Sequence, residues 1–159
     1  MVEWNIPYEE TERNRYAMKH PKSYDSTPET RKRMSNVKLR NGDAEQLLAK
    51  QLWHLGYRYR KNDKRLPGSP DIAILKHRVA VFVDGEFWHG KDWETRKARI
   101  QRNREYWIEK IEENMARDIR VDEELRNRGW VPIRFWAKDA LKNTDACIDR
   151  ILQLINEIK

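Results

Sequence analysis

The chain carries a single cysteine, Cys147, so it can form neither an internal disulfide nor a cage of several thiolates around a metal ion. No stretch approaches the roughly twenty apolar residues that a membrane-spanning helix needs, and the N-terminus lacks the apolar core of a secretory signal. Apolar residues are few, at 38% of 159 positions. No internal repeat, low-complexity segment or sharp composition break divides the sequence. These absences point away from disulfide-stapled secreted scaffolds, cysteine-rich zinc modules and membrane proteins. They predict a soluble cytoplasmic protein with one core, burying about 70% of its unfolded surface.

What the chain has in excess is charge. Charged residues make up 37% of it, and 33 Lys+Arg against 26 Asp+Glu leave a formal +7, with a pI near 9.5 and a mean hydropathy of −1.03. A net positive charge favours polyanion partners such as nucleic acid, although many basic proteins bind none.

The most informative stretch is Pro70 to His89. Two apolar runs, Ile72–Leu75 and Val79–Val83, flank a short basic turn and read as a β-hairpin central in a sheet. Asp71 stands at the mouth of one run, and Asp84, followed by Glu86, stands at the exit of the other. In an antiparallel hairpin those ends lie side by side. Carboxylates gathered at the end of buried strands are costly without a neutralising charge, and a divalent cation is the simplest one. His89, five residues beyond Asp84, is either a hydrogen-bonded structural group or a proton acceptor beside that ion. Phe87 and Trp88 are adjacent large rings that either close the core or stack on bases.

Around the hairpin the pattern alternates helices and strands. Residues 1–26 show no periodicity and read as an N-terminal arm, leaving 27–159 as the domain. Thr27-Pro28 predicts the start of a short basic helix in which Arg31, Lys32, Arg33, Lys38 and Arg40 crowd a stretch suited to phosphate contact. Asn41-Gly42-Asp43 predicts a break, followed by a core helix over Ala44, Leu47, Leu48, Leu52 and Leu55 that ends at Gly56. Glu45 then lies in that helix's first turn, where it complements the dipole. Tyr57–Arg60 alternates aromatic and basic residues and predicts the first strand. A long helix follows the hairpin, preceded by a basic loop or shorter helix over Arg96–Arg104 and closed by Asn127-Arg128-Gly129, with the stripe Trp107/Ile108, Ile111, Met115, Ile119 and Leu125 facing the core and Lys110, Asn114 and Arg117 on its polar face. Trp130–Trp136 is a strand in which Pro132 predicts an edge or a bulge. Thr144 opens a last helix that buries Ile148, Ile151, Leu152, Ile155 and Ile158. This order predicts a single-domain α/β protein with a central mixed β-sheet flanked by helices.

Several motifs, in order, carry a family resemblance: Arg31-Lys32-Arg33-Met34, Glu45, Leu66-Pro67-Gly68 before Pro70-Asp71, Gly85 before Phe87-Trp88-His89, Tyr106–Ile111, Asn114, Arg117-Asp118, and Gly129-Trp130 leading to Trp136. Over roughly residues 28–141 the chain resembles the very-short-patch repair endonucleases, which nick DNA at T:G mismatches on the restriction-endonuclease-like PD-(D/E)XK superfold. The resemblance implies a Mg²⁺-binding catalytic Asp71, a metal contact from the carbonyl of Val83, His89 as the water-activating base, and Glu45 holding metal-bound waters. It makes Met34, Phe87 and Trp88 a wedge into the base stack, and implies double-stranded, mismatched DNA and mismatch-repair proteins as partners in a bacterial or archaeal cytoplasm.

Two departures stand out. The family's zinc ligands are replaced, with Glu86, Lys91 and Trp93 near the aromatic motif and no cysteine in Ala137–Asp139, so no structural zinc is expected. Asp84 occupies a position where the family carries a second active-site histidine, and an acid there is expected to bind metal with Asp71. The resulting expectation is a Mg²⁺-dependent DNA endonuclease using one or two ions. The alternatives are a restriction endonuclease of the same superfold, which cuts both strands, and a non-catalytic DNA-binding relative.

Overall fold

The structure, a computed structural model, describes residues 28–159, without the side chains of residues 30–41. By its internal contacts the chain divides into Met1–Met34 and Ser35–Lys159, and the sheet and all side chains discussed below belong to the second unit. The N-terminal arm and the side chains of Met34 and of the basic cluster Arg31, Lys32, Arg33, Lys38 and Arg40 lie outside what is described.

Helix α1 runs without interruption over Pro28–His54. The expected break at Asn41-Gly42-Asp43 does not occur, because one glycine inside a helix costs only about 1 kcal/mol relative to alanine, and Ala44, Leu48, Ala49 and Leu52 repay that by packing into the main core. Glu45 is therefore deep within a long helix rather than in its first turn, and the dipole argument for it lapses. The helix ends as predicted at Gly56, which has a positive φ of 89°; the Tyr57 N–H donates to Leu52 O at 3.0 Å, a pattern that satisfies the last free carbonyls.

Strand β1 is shorter than expected, only Arg60–Lys61. Tyr57 and Tyr59 nevertheless pack on the core, and the Tyr59 hydroxyl donates to Ala49 O at 2.8 Å. Strands β2 (Ile72–Ile74) and β3 (Val79–Asp84) are wholly buried and form the predicted antiparallel hairpin, with Ile72 opposite Val81 and Ile74 opposite Val79. Helix α2 (Trp93–Lys97) and helix α3 (Arg104–Asn127) lead across to β4 (Val131–Trp136), which lies parallel to β3. Helices α4 (Ala137–Lys142) and α5 (Thr144–Ile158) complete the fold.

The sheet order is β1-β2-β3-β4, so Pro132 does stand on an edge strand. Its neighbour Val131 donates to Arg78 O at 2.8 Å; the N–H groups of successive strand residues point to opposite edges, so at Pro132 the missing N–H faces outward, where no partner is lost.

Side-chain alternation in β3 decides what each face holds. Val79, Val81 and Val83 point into the main core with α1 and α5, along with Ile72, Ile74 and Phe135. Ala80 and Phe82 point the other way, against Val121 and Leu125 of α3. Asp84 follows that second parity, as does Arg134 on β4, whose partner in the ladder is Phe82. Asp71, one residue before β2, shares it too. The carboxylates of the hairpin thus project from the sheet toward α3.

Helix α3 meets them with a different face from the one expected. Ile111, Asn114, Val121 and Leu125 are its buried residues, whereas Ile119 is 61% exposed. Asn114 belongs to the inner face, donating from Nδ2 to Trp88 O at 3.0 Å.

Candidate active site

Asp71 sits where β2 begins. Its Oδ2 accepts the Val83 N–H at 2.6 Å, which ties the carboxylate to the last turn of the ladder. Within a strand a residue's N–H and C=O point toward the same neighbour, so the Val83 carbonyl faces the Asp71 side beyond the end of β2. Burial raises the Asp71 pKa to about 6, opposed by the Val83 hydrogen bond, with the charges of Glu45 and Asp84 raising it further and His89 lowering it. Asp71, Glu45, Asp84 and His89 thus lie close enough for their charges to act on one another.

Glu45 reaches this site from α1. Its pKa is raised by burial, offset by Lys61 and by a hydrogen bond from Asn62; Lys61 Nζ lies 3.8 Å from its Oε1. Asp84 is 6% exposed, and burial raises its pKa against the pull of His89 and Arg134. Arg134 Nη1 lies 3.2 and 3.1 Å from the two Asp84 oxygens. The carboxylate expected beside a metal ion already faces a protein cation.

His89 lies on the loop after β3, and its Nδ1 is 2.5 Å from Asp118 Oδ2 and 3.8 Å from Asp84 Oδ1. Ligand atoms of Asp84, His89 and Asp118 all lie within 4.8 Å of one another, a spacing that can hold a metal ion. Arg134 closes the far side: its Nε and Nη2 donate to Asp122 at 2.9 and 2.7 Å, and its Cζ stands 4.2 Å over the Phe82 ring.

The loop that carries His89 is anchored at several points. Glu86 Oε1 accepts the Lys138 N–H at 2.7 Å and so caps the start of α4 rather than entering the acidic group. Lys91 Nζ lies 3.7 Å from Asp139, and Trp93 Nε1 donates to Glu112 at 3.1 Å. Gly90 leaves no room for a side chain against Met115 of α3. Phe87 and Trp88 pack edge to face at 5.4 Å, and both meet Trp107 of α3, at 5.3 and 5.6 Å. They are half-buried, supported below and partly open.

Asp122 and Arg134 are site residues that sequence reasoning did not single out, and Asp118 and Trp107 were named in motifs without a role at the site. The available signal was their phase: at about 100° per residue, Asp118 and Asp122 fall within about 20° of the core residue Ile111, and Ile119 falls about 80° away.

The basic stretch after α2 divides. Lys97 pairs with Glu112 at 2.6 Å, and Arg104 donates to the carbonyls of Lys97 and Ile100, whereas Arg99 and Arg102 are exposed.

Residues 23–95 match the family described as DNA mismatch endonuclease Vsr. A type II nicking enzyme from Neisseria meningitidis serogroup C, V.NmeDIP, is 51% identical over 132 residues, 82% of this chain and 89% of its own. The Haemophilus parainfluenzae type II nicking enzyme V.HpaIIP is 51% identical over 121 residues, covering 75% and 86%. DNA mismatch endonuclease Vsr of Escherichia coli K12 is 33% identical over 121 residues, 76% of each chain.

Proposed function

Because the chain belongs to the Vsr endonuclease family and is a DNA endonuclease that nicks its substrate, we propose that it cuts one strand of duplex DNA at or beside a T:G or related mismatch, with Mg²⁺ as cofactor. The observation that carries this reading is the His89–Asp118 pair set beside the buried acids Asp71 and Asp84.

The donor set fits a hard divalent cation. Burial raises the pKa values of Asp71 and Asp84 by disfavouring their charged forms, a cost that a bound cation would offset, and oxygen ligands suit Mg²⁺. Asp71 and the Val83 carbonyl would hold the ion, with Asp84 at its flank and Glu45 placed to hydrogen-bond its waters. Such an ion neutralises charge on the scissile phosphate and makes the attacking water more acidic.

The remaining work falls to this chain's side chains. With Nδ1–H donated to Asp118, His89 presents Nε2 as a proton acceptor, and the carboxylate stabilises the imidazolium that forms. His89 takes a proton from water as the water oxygen bonds to phosphorus and one P–O ester bond breaks. Phe87 and Trp88, braced by Trp107, would enter the stack at a deformable step. Met34 would join them, while Arg31, Lys32, Arg33, Lys38 and Arg40 would contact phosphates. Residues 1–26 would form the N-terminal arm, with 27–159 as the endonuclease domain. Zinc has no part in this proposal, since the positions expected to differ from zinc ligands are engaged otherwise: Glu86 with α4, Lys91 with Asp139 and Trp93 with Glu112.

The relatives named type II nicking enzymes favour a second reading, in which the nick is placed by a restriction-type sequence rather than by the mismatch. A panel of duplexes carrying each mismatch in varied contexts, beside matched controls and with or without Mg²⁺, separates the two. Strand-specific nicking confined to one mismatch supports repair; equal nicking of the matched duplex supports the second reading, and no nicking of any duplex sinks both.

A further inference from the structure

Three carboxylates, Asp84, Asp118 and Asp122, project into one half-buried space between the sheet and α3, and among the described residues one guanidinium, that of Arg134, is set among them. Arg134 is held from every side. Nη1 faces both Asp84 oxygens at 3.1–3.2 Å and Asp118 Oδ1 at 3.6 Å. Nε and Nη2 fork onto Asp122, Nη2 also lies 3.4 Å from the Asp118 carbonyl, and the flat face stacks on Phe82. Planar, bidentate and face-stacking contacts of this kind suit arginine and not lysine.

The position of Nη1 matters most. It stands between two carboxylates of the trio Asp84, His89 and Asp118, whose ligand atoms are close enough to share one ion. A divalent cation bridging Asp84 and Asp118 would need the place that Nη1 holds, and two cations at that separation repel strongly. Among the described residues the Asp71 carboxylate has no such cationic partner; its Oδ2 accepts the Val83 N–H. We propose that Arg134 is a positioning residue that fills the place of a divalent ion among Asp84, His89 and Asp118, leaving metal binding to the Asp71 side. His89 is thereby kept as a base instead of a ligand, and Asp118 is aligned to hold it.

This rests on the Asp71-centred site proposed above, and metal binding tests it apart from nicking. Mn²⁺ binding to the full chain is followed by loss of the free-ion electron paramagnetic resonance signal, for the wild type, Arg134→Met, Arg134→Lys and Asp71→Asn. The Met variant is expected to bind one ion more than the wild type, and the Lys variant, which keeps the charge, no more than the wild type. The Arg134→Met/Asp122→Asn variant relieves the carboxylate left without its partner and is expected to show the same additional ion if Arg134→Met alone does not fold. Equal stoichiometry in folded wild type and Met variants would overturn the inference, as would an additional ion in Arg134→Lys. Asp71→Asn that binds as many ions as the wild type would instead sink the Asp71 assignment, leaving the Arg134 comparison standing.

Discussion

Nδ1 of His89 stands 2.5 Å from Oδ2 of Asp118, joining a loop histidine to the middle of α3. The bond selects the tautomer with Nε2 free, which is the form a general base needs. Asp118→Asn keeps the size of the side chain but permits the opposite tautomer. Single-turnover nicking is expected to fall by about 10²–10⁴, with duplex affinity unchanged by fluorescence anisotropy. A variant that nicks at the wild-type rate would remove Asp118 from the mechanism.

Asp71→Ala and Asp71→Asn are both expected to abolish nicking while leaving duplex binding intact, and Asp71→Asn also changes stability. Burial lifts this carboxyl from 3.8 to about 6. For a raised pKa the stabilising contribution is complete below the unfolded value, pH 3.8, and is lost as the pH climbs through about 6. Metal-free wild type therefore carries a penalty at pH 8 on the order of 3 kcal/mol at most. The Asn variant should gain stability over the wild type at pH 8, and the advantage should vanish below pH 4. Urea denaturation in EDTA measures both, and added Mg²⁺ should narrow the gap by stabilising only the wild type. No difference between the two proteins at pH 8 would mean that the buried charge is already balanced.

The hairpin, the edge strand with Pro132 and the caps at Gly56 and Gly129 were legible because each depends on a local signal: a run of β-branched residues, a missing N–H, or a glycine at a positive φ. At the end of α3, for example, Trp130 N donates to Leu125 O at 2.9 Å beyond Gly129. The partnership of Asp84 with Arg134 was not legible, because the two are fifty residues apart and meet only through the parallel pairing of β3 with β4. Asp118 and Asp122 were hidden differently. A polar residue on the stripe of an amphipathic helix reads as solvent-facing unless something buried on the opposite sheet calls for it, and Arg134 supplies that reason. The run through Asn41-Gly42-Asp43 shows the converse error, a local breaker overridden by the helix packing on its C-terminal side.

Glu86 is predicted to act on stability rather than chemistry. Its carboxylate accepts the second N–H of α4 from across the structure, doing what the N-terminal flanking residue Trp136 does not. Glu86→Ala should destabilise the protein by about 0.5–2 kcal/mol in urea denaturation. Glu86→Gln, which keeps an acceptor oxygen, should recover most of that. Wild-type stability in the Ala variant would contradict the capping role.

Duplex affinity should depend steeply on salt, since the formal charge is +7 and Arg99 and Arg102 are exposed beside the site's loop. Each phosphate contact contributes about 0.9 to the slope of log K against log salt. Arg99→Ala/Arg102→Ala is expected to flatten the slope by up to about 1.8, and Arg31→Ala/Lys32→Ala/Arg33→Ala by up to about 2.7. A slope unchanged by the second set would remove the N-terminal part of α1 from the interface.

The rings of Phe87, Trp88 and Trp107 make the most specific prediction about mismatch recognition. Phe87 and Trp88 each rest edge to face on Trp107, which itself packs on Tyr106 at 4.9 Å. A wedge must remain rigid while it unstacks a base step, and unstacking costs a few kcal/mol that the inserted ring has to recover. Trp88→Ala should therefore weaken binding to a T:G duplex by about 1–3 kcal/mol and leave binding to the matched duplex nearly unchanged, since phosphate contacts dominate there. Trp107→Ala touches no base in this arrangement, yet it should reproduce part of the loss by freeing the two rings. The decisive quantity is the ratio of mismatched to matched affinity at one salt concentration. If Trp88→Ala lowers both affinities equally, the ring is a support for the His89 loop and not a wedge.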